Sequence, residues 1–165
     1  MGKITQRQSR FSNLVNLLAK DVFRYAFWLC GDREIAADLV QETFTRAWKA
    51  LDQLNDDKAA KNWLFTIVRR ENARRYERYH PDQEMVELDE IAVNGSYDTS
   101  TEAFVLRRAL AKLPQIYREP LVLQVIGGYN IEEIAQQLGL STGAVMTRLH
   151  TQFSSWILGR MDIKI

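Results

Sequence analysis

Apolar residues recur at three- and four-residue steps along nearly the whole chain, and strand signals are almost absent, which confines it to an all-α fold. Phe11, Leu14, Val15 and Leu18, then Val22, Tyr25 and Leu29, trace a first helix. Gly31-Asp32 interrupts the pattern, and Asp32 is placed to cap the next helix. The spacing predicts a long amphipathic helix over residues 34–51, with Val40, Phe44, Ala47 and Leu51 on its core side. A polar loop over residues 52–61 leads to a helix beginning near Asn62 or Trp63, whose first turns bury Leu64, Ile67 and Val68. His80-Pro81 closes this block, because the residue before proline is pushed out of helical geometry.

The formal net charge of +1 hides a division. Residues 1–80 carry 15 Lys/Arg against 10 Asp/Glu, and residues 104–165 carry 7 against 4. Between them, residues 81–103 carry no Lys or Arg and 7 Asp/Glu, with Asn94-Gly95-Ser96 in the middle. Two mildly basic helical domains, 1–80 and 104–165, joined by a flexible acidic linker over 81–103, are therefore expected. In the second block a helix over residues 104–113 is stopped at Pro114, and another runs over 117–126 to Gly127-Gly128.

Several function classes are excluded. Cys30 is the only cysteine, expected as a small buried hydrophobe, so an intrachain disulfide is impossible. It forms no metal-binding spacing with the two histidines. No nucleophile–base pair or glycine-rich phosphate loop is visible, so neither an enzyme nor a cofactor or small-molecule substrate is expected. The apolar runs are far short of a membrane span and no signal peptide is visible, so a cytoplasmic protein without membrane insertion is expected.

Residues 129–150, YNIEEIAQQLGLSTGAVMTRLH, fit a helix-turn-helix. Asn130 and Glu133 can form a capping box, Gly139 supplies a left-handed turn, and Leu140 fills the angle between the helices. Ile134, Ala135 and Leu138 face inward on the first helix, and Val145 and Leu149 on the second, which Ser141 caps. Thr142, Met146, Thr147 and His150 remain outward, where a major groove would be met. Two ordinary packed helices around a glycine turn would satisfy the same pattern.

Two further faces stand out. Glu34, Asp38, Gln41 and Thr45 form a polar stripe at four, three and four residues, flanked by Glu42, Arg46 and Lys49. It suits either a solvated surface or a protein-docking face. The helix after it carries Lys61, Arg69, Arg70, Arg74, Arg75 and Arg78, with Trp63, Phe65, Tyr76 and Tyr79 interleaved. Arginine, aromatics and Asn72 together suit unpaired nucleic acid, where phosphates are tracked and bases stacked. A solubilising helix with a Glu71–Arg75 pair is the alternative.

Three segments together resemble the extracytoplasmic-function (group IV) sigma factors of bacterial RNA polymerase, which have only sigma regions two and four. Region two is matched by GDREIAADLVQETFTRAWKAL (31–51) and NWLFTIVRRENARRYER (62–78). Region four is matched by LPQIYREPLVLQVIGGYNIEEIAQQLGLSTGAVMTRL (113–149). The resemblance implies a non-catalytic subunit that binds core RNA polymerase, directs it to promoter DNA and helps to open the duplex, with an anti-sigma factor as a further partner. It implies polymerase docking through Asp38, Gln41, Glu42 and Thr45, Phe44 being assigned to the core. It implies minus-ten recognition by Lys61, Asn62, Trp63, Arg69, Arg70, Asn72, Arg74 and Arg75, with a flipped base captured by the loop 52–61 together with the helix start at Asn62–Trp63. Minus-thirty-five reading falls to Ser141, Thr142, Met146, Thr147, Arg148 and His150. The chain departs from the family at Arg70, where asparagine is common. It departs again after Val145, where of several basic positions near Met146, Thr151 and Phe153 only Arg148 is basic. The last helix instead offers Phe153, Trp156, Ile157 and Met161, an apolar stripe for core packing or a partner.

Overall fold

A computed structural model of the chain describes residues 2–79, 110 and 112–161, without the side chains of residues 3, 76, 79 and 152–161. Linker residues 81–103, most of helix 104–113, and the side chains of Tyr76, Tyr79, Phe153, Trp156, Ile157 and Met161 lie outside that description. The chain divides into two compact units, Met1–Glu84 and Met85–Ile165. All regular structure among the described residues is helical.

In the first unit α1 (Gly2–Cys30), α2 (Arg33–Lys49) and α3 (Ala60–Tyr79) pack pairwise into a three-helix bundle. Leu14, Leu18, Val22, Tyr25 and Leu29 form the buried stripe of α1. Gly31 turns the chain at φ 72°, and the Asp32 carboxylate accepts from the Ile35 N–H, capping α2 as its sequence position predicts. Ala47 and Leu51 are buried as expected, but Ala36, Leu39 and Thr43 face the core where Val40 and Phe44 were expected. Val40 and Phe44 are half-buried at its edge, where the Phe44 ring meets Phe11 edge-on at 6.2 Å. Two apolar stripes lie side by side on this helix. The one with smaller side chains lets α1 and α3 approach closely, so it takes the centre.

The helix ends at Lys49, and the expected polar loop is a more ordered connector. It contains the 3₁₀ turns Leu51–Gln53 and Asp57–Ala59, anchored by buried Leu51 and Leu54. Asp56 caps the second turn through the Lys58 N–H, and α3 starts at Ala60, two or three residues earlier than predicted. Leu64 and Val68 are buried as expected, whereas Ile67 is only half-buried. Phe65 belongs to the core and is not a base-stacking ring: it is fully buried and stacks on Tyr25 at 4.3 Å.

The second unit contains α4 (Gln115–Val122), α5 (Ile131–Leu138) and α6 (Thr142–Met161). Pro120 lies inside α4 and removes a backbone donor. The helix then widens into a π turn, Leu123–Gly127, ended by Gly128 at φ 70°. A β-carbon at Gly127 would lie 2.9 Å from the Tyr129 ring, so a larger residue here would have to displace that ring. The capping box of α5 forms in both directions: the Glu133 N–H donates to Asn130 Oδ1 at 2.8 Å and the Asn130 N–H to Glu133 Oε2 at 2.9 Å. Gly139 turns at φ 65°, and Ser141 Oγ caps α6 by accepting from the Ala144 N–H. Ile134, Ala135, Leu138 and Val145 are buried together with Val122 and Leu123, and Leu140 is half-buried in the turn.

Candidate polymerase and promoter interfaces

The α2 stripe occupies the side of the helix opposite its buried face. Glu34, Asp38, Gln41, Glu42 and Thr45 are all exposed. At about 100° per residue, the Glu34–Thr45 stripe centres roughly half a turn from Leu39 and Thr43. Its polar groups differ in freedom. Thr45 Oγ1 donates back to the Gln41 carbonyl at 2.9 Å, and Glu42 accepts from Arg46 at 2.9 Å. Asp38 lies only 3.9 Å from Arg75, and its side chain is 73% exposed, so it is the more available carboxylate.

The residues singled out on α3 do not form one surface. Trp63, Arg70 and Arg74 share a side of the helix, with Trp63 half-buried and both arginines exposed. Asn62, Arg69 and Asn72 form one half-buried edge. Arg75 continues the buried line of Leu64, Val68 and Glu71, half-buried and within reach of α2. Lys61 is tied to α1, pairing with Asp21 at 2.9 Å and lying 5.9 Å from the Phe65 ring. Asn62 Oδ1 is buried without a hydrogen-bond partner among the described residues.

Glu71 has partners beyond the Arg75 expected for it. Its side chain is 8% exposed, and Oε1 accepts from Arg46 of α2 at 2.8 Å and Arg74 of α3 at 2.7 Å. With Glu42 this makes a chain of alternating charges, Glu42–Arg46–Glu71–Arg74, across the α2–α3 interface. Two guanidiniums on one oxygen compensate for burying the carboxylate. Sequence reasoning missed this network because α3 meets Arg46 only through the fold. Cys30 also departs from expectation. It is half-buried, its thiol donates to the Asp32 carbonyl at 3.3 Å, and burial pushes its pKa up, which keeps it in the poorly nucleophilic thiol form.

On α6, Thr142, Met146, Thr147 and His150 are exposed on one continuous face, and Ser141 is exposed at its start. Thr147 Oγ1 donates back to the Gly143 carbonyl at 2.9 Å. Arg148 points elsewhere: it is half-buried on the side nearer Val145. The outward face therefore carries hydroxyls, an imidazole and a thioether, with no guanidinium or ammonium among its described residues. Such a face meets base edges and thymine methyls more readily than phosphates.

Among the described residues no helix is long and apolar enough to cross a membrane. Comparison with known families matches residues 14–80 to sigma-70 region 2 and residues 103–151 to sigma-70 region 4. The chain is 32% identical over 129 residues to the ECF RNA polymerase sigma factor EcfG of Rhodopseudomonas palustris, covering 76% of this chain and 71% of that one. To the ECF RNA polymerase sigma factor SigL of Mycobacterium tuberculosis it is 29% identical over 135 residues, 78% and 76% of the two chains. Among solved structures it is similar to the sigma factor RpoE, in complex with the anti-sigma factor NepR, from Bartonella quintana. That likeness has a TM-score of 0.66 and 26% identity, over 88% of this chain and 92% of that one. With both regions matched in order, the chain belongs to the ECF sigma factors of RNA polymerase, the promoter-directing factors of transcription initiation.

Proposed function

We propose a division of labour between the units, with residues 1–80 acting as region two, 81–103 as a tether and 104–165 as region four. Asp38, Gln41, Glu42 and Thr45 dock on core RNA polymerase. The connector and α3 take up the minus-ten element, with Trp63 against an unstacked base and Arg70 and Arg74 on phosphates. Ser141, Thr142, Met146, Thr147 and His150 read the minus-thirty-five element, and Arg148 contributes from its edge. Unstacking costs a few kcal/mol per step, so opening draws on contacts to polymerase and DNA together. The chain supplies specificity rather than catalysis and acts in the cytoplasm with the DNA, in keeping with the group IV pattern of two regions. The observation that carries this reading is the exposed polar stripe of α2 beside the arginine-rich α3. A helix-turn-helix repressor needs neither.

Adding the purified chain to bare core polymerase should produce transcripts from defined start sites in a genomic template library. Failure to initiate at any such site overturns the reading. A second partner, an anti-sigma protein, is favoured because the sigma factor RpoE of Bartonella quintana, similar in structure to this chain, is complexed with the anti-sigma factor NepR. Its mark would be a protein co-purifying with the chain in uninduced cells and suppressing these transcripts.

The α6 face yields a prediction of its own. Met146 is 55% exposed on a face that carries no guanidinium or ammonium among its described residues. Met146→Arg should add one phosphate contact and steepen the slope of log affinity against log salt by about 0.9. Salt titration of holoenzyme on an upstream duplex probe measures it. An unchanged slope would place Met146 away from the DNA backbone.

A further inference from the structure

The connector between α2 and α3 is gripped from outside by two arginines of α1, one helical turn apart. Arg10 donates from Nη2 to the Leu54 carbonyl at 2.6 Å. It also binds Asp57 Oδ1 through Nε at 2.8 Å and Nη2 at 2.6 Å. Arg7 donates from Nη2 to the Trp48 carbonyl at 2.7 Å, lies 4.8 Å over the Trp48 ring, and approaches Asp52 at 3.7 Å. These contacts join residues 41 to 47 positions apart in sequence. Both side chains are about a third exposed, at 36% and 32%. Two of the groups held are main-chain carbonyls, so the arginines fix the path of the backbone as well as neutralising charge. The hold falls at the end of α2, at the connector's midpoint and at its second turn, while Leu51 and Leu54 plug it from below.

We propose that Arg7 and Arg10 are positioning residues for strand capture, holding the connector ready before DNA arrives. The idea rests on the proposed function of the connector as the base-capturing element. Both arginines precede residue 14, where the match to region 2 begins, whereas the connector they hold lies within it. The guanidinium fork explains why arginine is used. Nη2 reaches the Leu54 carbonyl while Nε and Nη2 together hold the Asp57 carboxylate, in a planar geometry that a flexible ammonium does not preset. The cost of ordering the connector is then met during folding rather than during binding, which favours capture of the strand.

The test uses holoenzyme assembled from core polymerase and the full chain, on forked DNA from a promoter the chain is found to use. Affinity is compared between an intact minus-ten strand and strands made abasic at one position each. For wild type the ratio should be high at the captured base. Arg10→Ala should lower that ratio about tenfold, as small misplacements in a preorganised site do. Affinity for core polymerase should stay unchanged. Arg10→Lys should fall between, and Asp57→Ala should cost less than Arg10→Ala because the Leu54 bond remains. Circular dichroism establishes that each variant is folded at the assay temperature. A folded Arg10→Ala protein with the wild-type ratio overturns the proposal, as does equal weakening on intact and abasic strands, which marks a merely structural role. A wild-type ratio of one at every position defeats the base-capture reading itself, and this proposal with it.

Discussion

Replacing Asp38 and Gln41 together by alanine should weaken association with core polymerase by about 100-fold or more, which is about 2.7 kcal/mol. The same double variant should leave folding stability within about 0.5 kcal/mol of wild type. The separation follows from exposure. Both side chains face solvent, and the ion pair Asp38 gives up, with Arg75 at 3.9 Å, is long and open to water. Glu42→Ala is a poorer probe, because Glu42 holds Arg46, and Arg46 in turn holds the buried Glu71. Equilibrium binding to immobilised core polymerase, alongside a thermal melt, checks both halves. Undiminished binding would show that the stripe is a solvated surface and that docking lies elsewhere.

The stripe is legible in the sequence because exposure at helical spacing is a local property. The same holds for the caps. Asp32, the Asn130–Glu133 box, Gly139 and Ser141 each act within three or four residues of themselves, so their residue types announce helix ends directly. The packing of α2 is less legible. Val40 with Phe44 and Leu39 with Thr43 are both apolar or neutral stripes, one residue apart, and periodicity alone cannot rank them. The choice is made by the helices opposite, which need the small side chains of Ala36 and Ala47 for close contact. Phe65 misleads for a related reason, since an aromatic among arginines looks like a stacking platform until Tyr25 is placed against it. Contacts that close only in three dimensions, Arg46 to Glu71 and Arg10 to the connector, leave no mark at either partner. The π turn after Pro120 is intermediate. The proline and the two glycines signal a disturbance, but the approach of the Tyr129 ring to Gly127 appears only in three dimensions.

Two neighbouring aromatics on α3 should answer to mutation in opposite ways. Phe65 is fully buried, stacked on Tyr25 with an interplanar angle of 4°. Phe65→Ala removes a large ring from a close-packed centre where α1 and α3 meet, at a cost of about 3–5 kcal/mol. For a small domain whose total stability is about 5–15 kcal/mol, that lowers the melting temperature by more than about 10 °C. Polymerase binding and promoter opening should then fail together, because the whole bundle is weakened. Trp63 is half-buried on the side it shares with Arg70 and Arg74. Trp63→Ala should keep the fold and the affinity for core polymerase while losing the base contact, worth about 1–3 kcal/mol. Thermal melts separate the two on stability, and permanganate reactivity of minus-ten thymines in the holoenzyme complex separates them on opening. A Trp63→Ala protein that opens the promoter normally would remove the ring from the mechanism. A Phe65→Ala protein that melts like wild type would contradict the core described for α1 and α3, and with it the frame that presents both the stripe and the basic helix.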